Sequence, residues 1–326
     1  MKKQFIFYFI PFIFIVSSCQ STGTFKLVLL PDTQNYSAAY PEIFKAQTEW
    51  IADNAREIAF VLHQGDITDN NIDEQWQNAR AALTVLDGKV PYTVVTGNHD
   101  IGDPNKNSNI RKSELFNNYF PYEKYSQMKH FQGAFETGYM DNVYHTFRAG
   151  GTDWLILSLE FGPRNKVLDW AKEVIEKHPR HKIIINTHAY MYSDNTRMSI
   201  HKNHFWVPQS YGLGSDTGED AVNDAEMMWE KLVSKYPNIL LVFSGHVLHS
   251  GTGKLISQGV HGNKVYQMLA NYQTGVEGSE KGGNGFLRML TIDTKKKEIR
   301  VQSYSPYIDS YKTEDSQEFV FKDVEF

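Results

Sequence analysis

Five short polar clusters, each standing directly after an apolar run, constrain this chain more than any other feature. The runs cover residues 26–31, 58–64, 90–96, 182–186 and 239–244. The clusters are Asp32-Thr33-Gln34, Gly65-Asp66-Ile67-Thr68-Asp69, Gly97-Asn98-His99-Asp100, His188, and Gly245-His246 followed by His249. Strands that run the same way bring their carboxyl ends to one rim of a sheet. Five distant pieces of chain then deliver Asp, Asn, Gln and His to one place, and that donor set suits a metal site.

The spacing between clusters predicts alternating strands and helices. Strands are expected over 25–30, 58–62, 90–95, 153–159, 182–186 and 238–243, and helices over 41–58, 73–86, 165–177 and 221–236. The helix at 41 has Pro41 in its first turn, with Ile43, Phe44, Trp50, Ile51, Ala55 and Ile58 at helical spacing. Residues 103–142, rich in Asn, Lys, Tyr and Phe without period, read as a long excursion over the face of the site. The last part changes character: 264–270, 286–293 and 298–304 look like short antiparallel strands. This order predicts an α/β fold, a mixed β-sandwich with helices outside both sheets.

The first residues read as a targeting segment. Lys2-Lys3 precede an apolar stretch from Gln4 to Val16, too short to span a bilayer as a helix but suited to a signal-peptide core. Val16-Ser17-Ser18-Cys19 then resembles a bacterial lipobox, and Cys19 is the single cysteine of the chain. The organisation expected is a lipoprotein signal peptide over 1–18, a tether over 19–24, and one globular domain over 25–326. Lipid on Cys19 would anchor the protein stably to a membrane of the cell envelope, facing the periplasm or the exterior. An ordinary secretory peptide that leaves a free thiol is the alternative. The formal charge is −5 and no basic stripe appears, which argues against extended nucleic-acid binding.

Taken singly, each cluster has a bland reading. Gly97-Asn98 is a common turn pair, and Asp66 or Asp69 can cap a helix. His63 and His145 read as packing or surface residues. His201 and His204 lie in a polar loop with Trp206, and are either substrate contacts or solvated side chains. Taken together and in order, the clusters resemble the calcineurin-like metallophosphoesterase family. Its signature runs D-x-H, G-D-x-x-D, G-N-H-[DE], a His, then G-H-x-H. The likeness covers roughly residues 25 to 305, and two motifs match in full.

The resemblance implies roles. Asp32 would bind a first metal, Asp66 would bridge two, and Asn98, His188 and His246 would bind the second. His99 would stabilise or protonate the leaving oxygen, oriented by Asp100, while Asp69 would hold its loop. The cofactor would be two divalent ions drawn from Mn, Fe, Zn, Co or Ni, and the reaction hydrolysis of a phosphomonoester or phosphodiester by a metal-bound hydroxide with a His acid. His204 and Trp206 are the candidate substrate contacts. Two departures fall on the first metal. Gln34 stands where the pattern has His, as in an Asp-x-Gln branch of the family. Leu248 stands at the other His position, with His249 one residue late: it reaches the ion if the loop bulges, or points away. A non-catalytic, lipid-anchored binding or scaffold protein on the same fold is the alternative function.

Overall fold

The computed structural model describes residues 23–326. The expected signal peptide, Cys19 and all but the end of the expected tether lie outside the described residues. The first sheet contains three parallel strands, β1 (Thr24–Leu30), β2 (Ile58–His63) and β3 (Tyr92–Thr93). It is extended antiparallel by β11 (Leu287–Asp293), β12 (Glu298–Ser305), β13 (Ser310–Lys312) and β14 (Phe319–Phe321). The second sheet has the order β4 (Phe131–Ala134), β5 (Val143–Ala149), β6 (Thr152–Leu159), β7 (Lys182–Thr187), β8 (Ile239–Ser244), β10 (Lys264–Ala270), β9 (Thr252–Gln258). Within it β6, β7, β8 and β10 are parallel.

Alternation along the strands sets the layers. Leu27 and Leu29 of β1 pack with Phe60, Leu62, Ile184, Leu241 and Phe243 between the two sheets. Their neighbours Val28 and Leu30 face the other way, onto Ile43, Phe44, Ile51 and Trp76 of helices α2 (Pro41–Asp53) and α3 (Asp73–Leu83). On the second sheet Leu155, Leu157, Ile183 and Ile185 turn outward onto Val167, Leu168, Ala171 and Ile175 of α6 (Asn165–Lys177). Both faces of each sheet are thus covered, which is why these strands read as continuous apolar runs. The short helices α1 (Gln34–Ala39), α4 (Glu114–Tyr119), α5 (Tyr122–Tyr125) and α7 (Ala225–Lys231) complete the α-helices among the described residues.

Three expectations need correction. The strand over 264–270 exists, but it is parallel to β8 and antiparallel only to β9, so its carboxyl end reaches the same rim as the others. The stretch over 103–142 is not a free excursion. It carries α4, α5 and β4, and its Phe116, Phe120 and Tyr125 are buried against Trp76 and Leu83. The strand expected over 90–95 shrinks to Tyr92–Thr93, because β3 is an edge whose only neighbour is β2.

Candidate metal centre

The parallel strands of both sheets end on one rim, and the polar clusters leave them there. Asp32, Asp66 and His246 sit in the left-handed region, with φ of 41°, 49° and 76°. A non-glycine residue enters that region at a cost, and three at one rim mark a site whose side chains are held by the surrounding structure.

The clearest geometry lies around His188, which is fully buried. Its Nδ1–H donates to the Gln64 carbonyl at 2.7 Å, which turns Nε2 inward. Around Nε2 stand His246 Nδ1 at 3.0 Å, Asn98 Oδ1 at 3.2 Å and Asp66 Oδ1 at 3.2 Å. His246 is fixed the same way: its Nε2–H donates to the Trp206 carbonyl at 2.8 Å, so Nδ1 faces the cluster. Spending the outer ring nitrogen on a carbonyl is how ligating histidines are oriented. Donor atoms of Asp66, His188 and His246 lie within 4.8 Å of one another. Two inward imidazole lone pairs facing an amide oxygen and a carboxylate call for a positive charge among them.

The metal-free chain supplies that charge with a proton. Burial opposes protonation of His188, but the Asp66 carboxylate outweighs it and raises the imidazole to about 9. Burial and the neighbouring His188 push His246 down to about 3, so it stays neutral and accepts. Burial opposes ionisation of Asp66, yet His188 and His99 hold its carboxyl well below the usual range. Burial pushes Asp32 well up, with the Asp66 charge adding to it and His188 offsetting part. A cation placed here would reverse the penalty on Asp32.

Asp32 accepts from the His246 backbone N–H at 2.9 Å (Oδ1) and 3.1 Å (Oδ2). Gln34 is buried, and its Oε1 has no hydrogen-bond partner among the described residues. An orphaned amide oxygen two residues from Asp32 fits a first-metal ligand. The residues present therefore fit a metal group, with two imidazoles on the His188 side and oxygen donors on the Asp32 side.

His99 stands at the mouth. Its Nδ1–H donates to the Asp69 carbonyl at 2.7 Å, and Asn107 Nδ2 approaches Nε2 at 3.2 Å. Its backbone N–H donates to Asp66 Oδ1 at 3.0 Å. Asp100 does not orient His99, contrary to expectation. Its carboxylate accepts from Gly97 N–H at 2.8 Å, Ile67 N–H at 3.0 Å, Thr68 N–H at 2.8 Å and Thr68 Oγ1 at 3.1 Å. Asp100 is thus the latch between the second and third clusters, and Asp69 orients His99 through its main chain.

His249 is another correction. It is exposed, packs its ring 5.3 Å from that of Trp206, and meets the Tyr192 hydroxyl with Nε2 at 3.4 Å. The loop turns it outward at φ 58° instead of bulging it inward. His204 is likewise built into its own loop. It stacks on Tyr192 at 3.9 Å and accepts from Ser199 N–H at 3.1 Å, with Asp194 at 3.3 Å, so both ring nitrogens are engaged within the loop, and it does not line the cleft at the metal cluster. Trp206, at φ 62°, does reach the site: with Asp66, Asn98, His99, Tyr211, His246, Leu248 and Gln273 it lines a cleft of about 80 Å³. A larger cavity of about 430 Å³ opens beside Arg111, Glu160 and Arg164, but it holds no metal-ligand cluster among the described residues.

Sequence reasoning missed Gln273, Tyr211, Asn107 and Gln64. Gln273 carried the signal already used five times: the run over 265–270 is followed by Asn271-Tyr272-Gln273. Tyr211 and Asn107 lie in irregular loops with no such marker, and Gln64 acts through its main chain.

A family model described as calcineurin-like phosphoesterase matches residues 25–250. The uncharacterized protein YvnB of Bacillus subtilis is 32% identical over 92% of this chain, which spans only 21% of that protein's length. Among solved structures, the purple acid phosphatase PPD1 from yellow lupin seeds aligns over 92% of this chain and 54% of its own, at TM-score 0.53 and 13% identity. GAP50, the anchor in the inner membrane complex of Plasmodium, aligns over 92% of this chain and 88% of its own, at TM-score 0.50 and 13% identity. Both likenesses concern the fold.

Proposed function

Since the chain belongs to the calcineurin-like phosphoesterase family, we propose that it is a metal-dependent phosphoesterase, cleaving a phosphomonoester or phosphodiester at the His99 cleft. The observation that carries this reading is the convergence of Asp66, Asn98, His188 and His246 on one point, with both outer imidazole nitrogens tied to carbonyls. Asp66, Asn98, His188 and His246 would hold one divalent ion, and Asp32, Gln34 and Asp66 a second. Bound there, such ions supply a nucleophilic water and offset charge on the phosphoryl oxygens.

The chain's own residues do the rest. The Asp69 carbonyl fixes the His99 ring with Nε2 toward the cleft. Substrate entering displaces the Asn107 amide from Nε2 and leaves that nitrogen facing the leaving oxygen. The freed Nε2 takes up a proton from water and passes it to that oxygen as the ester bond breaks. Trp206 and Tyr211 wall the cleft beside His246. Metal-loaded protein is expected to hydrolyse aryl phosphomonoesters or diesters. His99→Ala is expected to lower kcat roughly 100- to 10,000-fold while metal content per chain stays at the wild-type level. Absence of hydrolysis with Mn²⁺, Fe²⁺ and Zn²⁺ alike, across both ester classes, would end the reading.

A second reading is a binding or scaffold protein on the same fold, favoured by Leu248 at a ligand position. GAP50 shows that this fold occurs in a protein described as an anchor. Two metals per chain together with turnover exclude it. We also propose attachment to a cell-envelope membrane through lipid on Cys19. No helix among the described residues is long and apolar enough to cross one. An unmodified Cys19 in the intact mass of membrane-purified protein would remove that proposal.

A further inference from the structure

Replacing the second His of the last motif by Leu248 removes an imidazole from the first metal's side, and His249 does not restore it. Another side chain stands there instead. Because β10 runs parallel to β8, the residues after Ala270 leave on the metal rim. Gln273 is 7% exposed, and its Nε2 donates to Asp32 Oδ1 at 3.2 Å. It lines the same cleft as Asp66, His99, His246 and Leu248.

The loop that carries it is bonded to the turn that lost the histidine. Asn271 N–H donates to the Gly251 carbonyl at 2.7 Å, and Asn271 Nδ2 to the Val247 carbonyl at 3.3 Å. Asn271 Oδ1 in turn accepts the Gln273 N–H at 3.1 Å. Gln273 is therefore positioned by the 245–251 turn itself. A half-turn of its amide exchanges nitrogen for Oε1 at the same place, so the group that now donates to Asp32 can face a cation Asp32 binds.

We propose that Gln273 completes the first metal site, and that this site is oxygen-only. Its donors are Asp32, Asp66, Gln34 and Gln273, and it takes a hard divalent cation such as Mn²⁺. The second site keeps His188 and His246 and takes a softer ion such as Zn²⁺. Carboxylate and amide oxygens suit Mg, Ca and Mn, whereas imidazole suits Zn, Fe and Ni. One chain therefore sorts two different metals by donor type. The inference rests on reading the cleft as a two-metal centre.

The test is equilibrium dialysis of chelator-stripped full-length protein against Zn²⁺ and Mn²⁺ together, with metal content per chain measured without substrate. One zinc and one manganese are expected. Gln273→Leu is expected to weaken Mn²⁺ at least tenfold while the zinc equivalent and the melting temperature hold. Gln273→His is expected to admit a second zinc, and Gln273→Glu to tighten Mn²⁺. Two zincs per wild-type chain with manganese excluded would overturn the proposal. So would unchanged Mn²⁺ affinity in both Gln273→Leu and Gln273→Glu. Because occupancy is read without turnover, mixed occupancy in a protein that hydrolyses nothing refutes the phosphoesterase reading alone. Two zincs in an active protein refute this inference alone.

Discussion

His188 carries the proton that a cation has to displace. Its imidazole titrates near 9 when metal-free, above the ordinary value near 6.5. Its stabilising contribution is therefore complete below pH 6.5 and is lost as pH rises through about 9. Binding of a divalent ion at Nε2 competes with that proton. Affinity is expected to fall about tenfold per pH unit below 9, with about one proton released per chain. Titration calorimetry in two buffers of different ionisation heat reads the proton directly, and equal heats would remove His188 from the ligand set. His145 works with the opposite sign. It is buried between Phe60 and Phe131, with ring centroids at 5.5 Å and 5.6 Å, and burial pushes it down to about 3. Its contribution is present above pH 6.5 and is lost as pH falls toward 3. His145→Phe keeps the ring contacts and removes the titration. Urea unfolding at pH 7, 6 and 5 should then lose up to about 1.4 kcal/mol less per pH unit than wild type, with His63 retaining part of the slope. Asp32, Asp66, Asn98, His188 and His246 were legible because each stands where an apolar run stops. Gln273 has the same signature, but the antiparallel pairing expected for its strand points it away from the rim, and only the parallel pairing with β8 brings it there. The outward turn of His249 and the bonding of Asp100 depend on loop geometry that spacing does not encode.

The clusters keep their positions because two glycines let main chain and carboxylate touch. A Cβ on Gly97 would collide with Asp66 Oδ1 and the Asp66 main chain, and one on Gly245 would collide with Asp32 Oδ2. Neither glycine has positive φ, so close approach alone demands the residue type. Asp100 holds the same contact from the other side, bonding Gly97, Ile67 and Thr68 at once. Gly97→Ala should therefore displace Asp66 and weaken metal binding at least tenfold, while far-UV circular dichroism stays that of the wild type. A variant that binds metal normally would show that Asp66 has room the packing does not suggest. The helix over 165–177 could be read to the residue, because Val167, Leu168, Ala171, Val174 and Ile175 recur on one buried face. Helix α7 is much shorter than the expected 221–236: Asp224 caps its start through Met227 N–H, and Leu232 breaks it at φ −133°. Strands β4, β5, β9, β13 and β14 leave no clear mark in the sequence because they are short or half exposed and lack a continuous apolar run.

Stacking two mixed sheets face to face brings seven polar strand exits to one rim, but the metal cluster contributes little to holding the sheets together. The layers rest on apolar clusters between the sheets and under the helices, each built from side chains that are mostly fully buried. These cores contain none of the candidate metal ligands, and a proton on His188 balances part of the buried negative charge. The four-layer order was legible from strand-helix alternation, and so was the antiparallel extension of the first sheet by 286–293 and 298–304; the parallel place of 264–270 beside β8 was not, since it depends on which strands become neighbours. The architecture implies a specific response to chelation. A ligand that binds only the folded chain adds RT ln(1 + [L]/Kd), about 2.7 kcal/mol at one hundred times Kd. For a chain of this size that corresponds to a shift of several degrees. Removing metal should therefore lower the melting temperature by several degrees and leave the far-UV spectrum and a single cooperative transition intact. Loss of the fold on chelation would mean that the strand exits, with Asp32, Asp66 and Asp100 buried side by side, repel strongly enough to open the sheets.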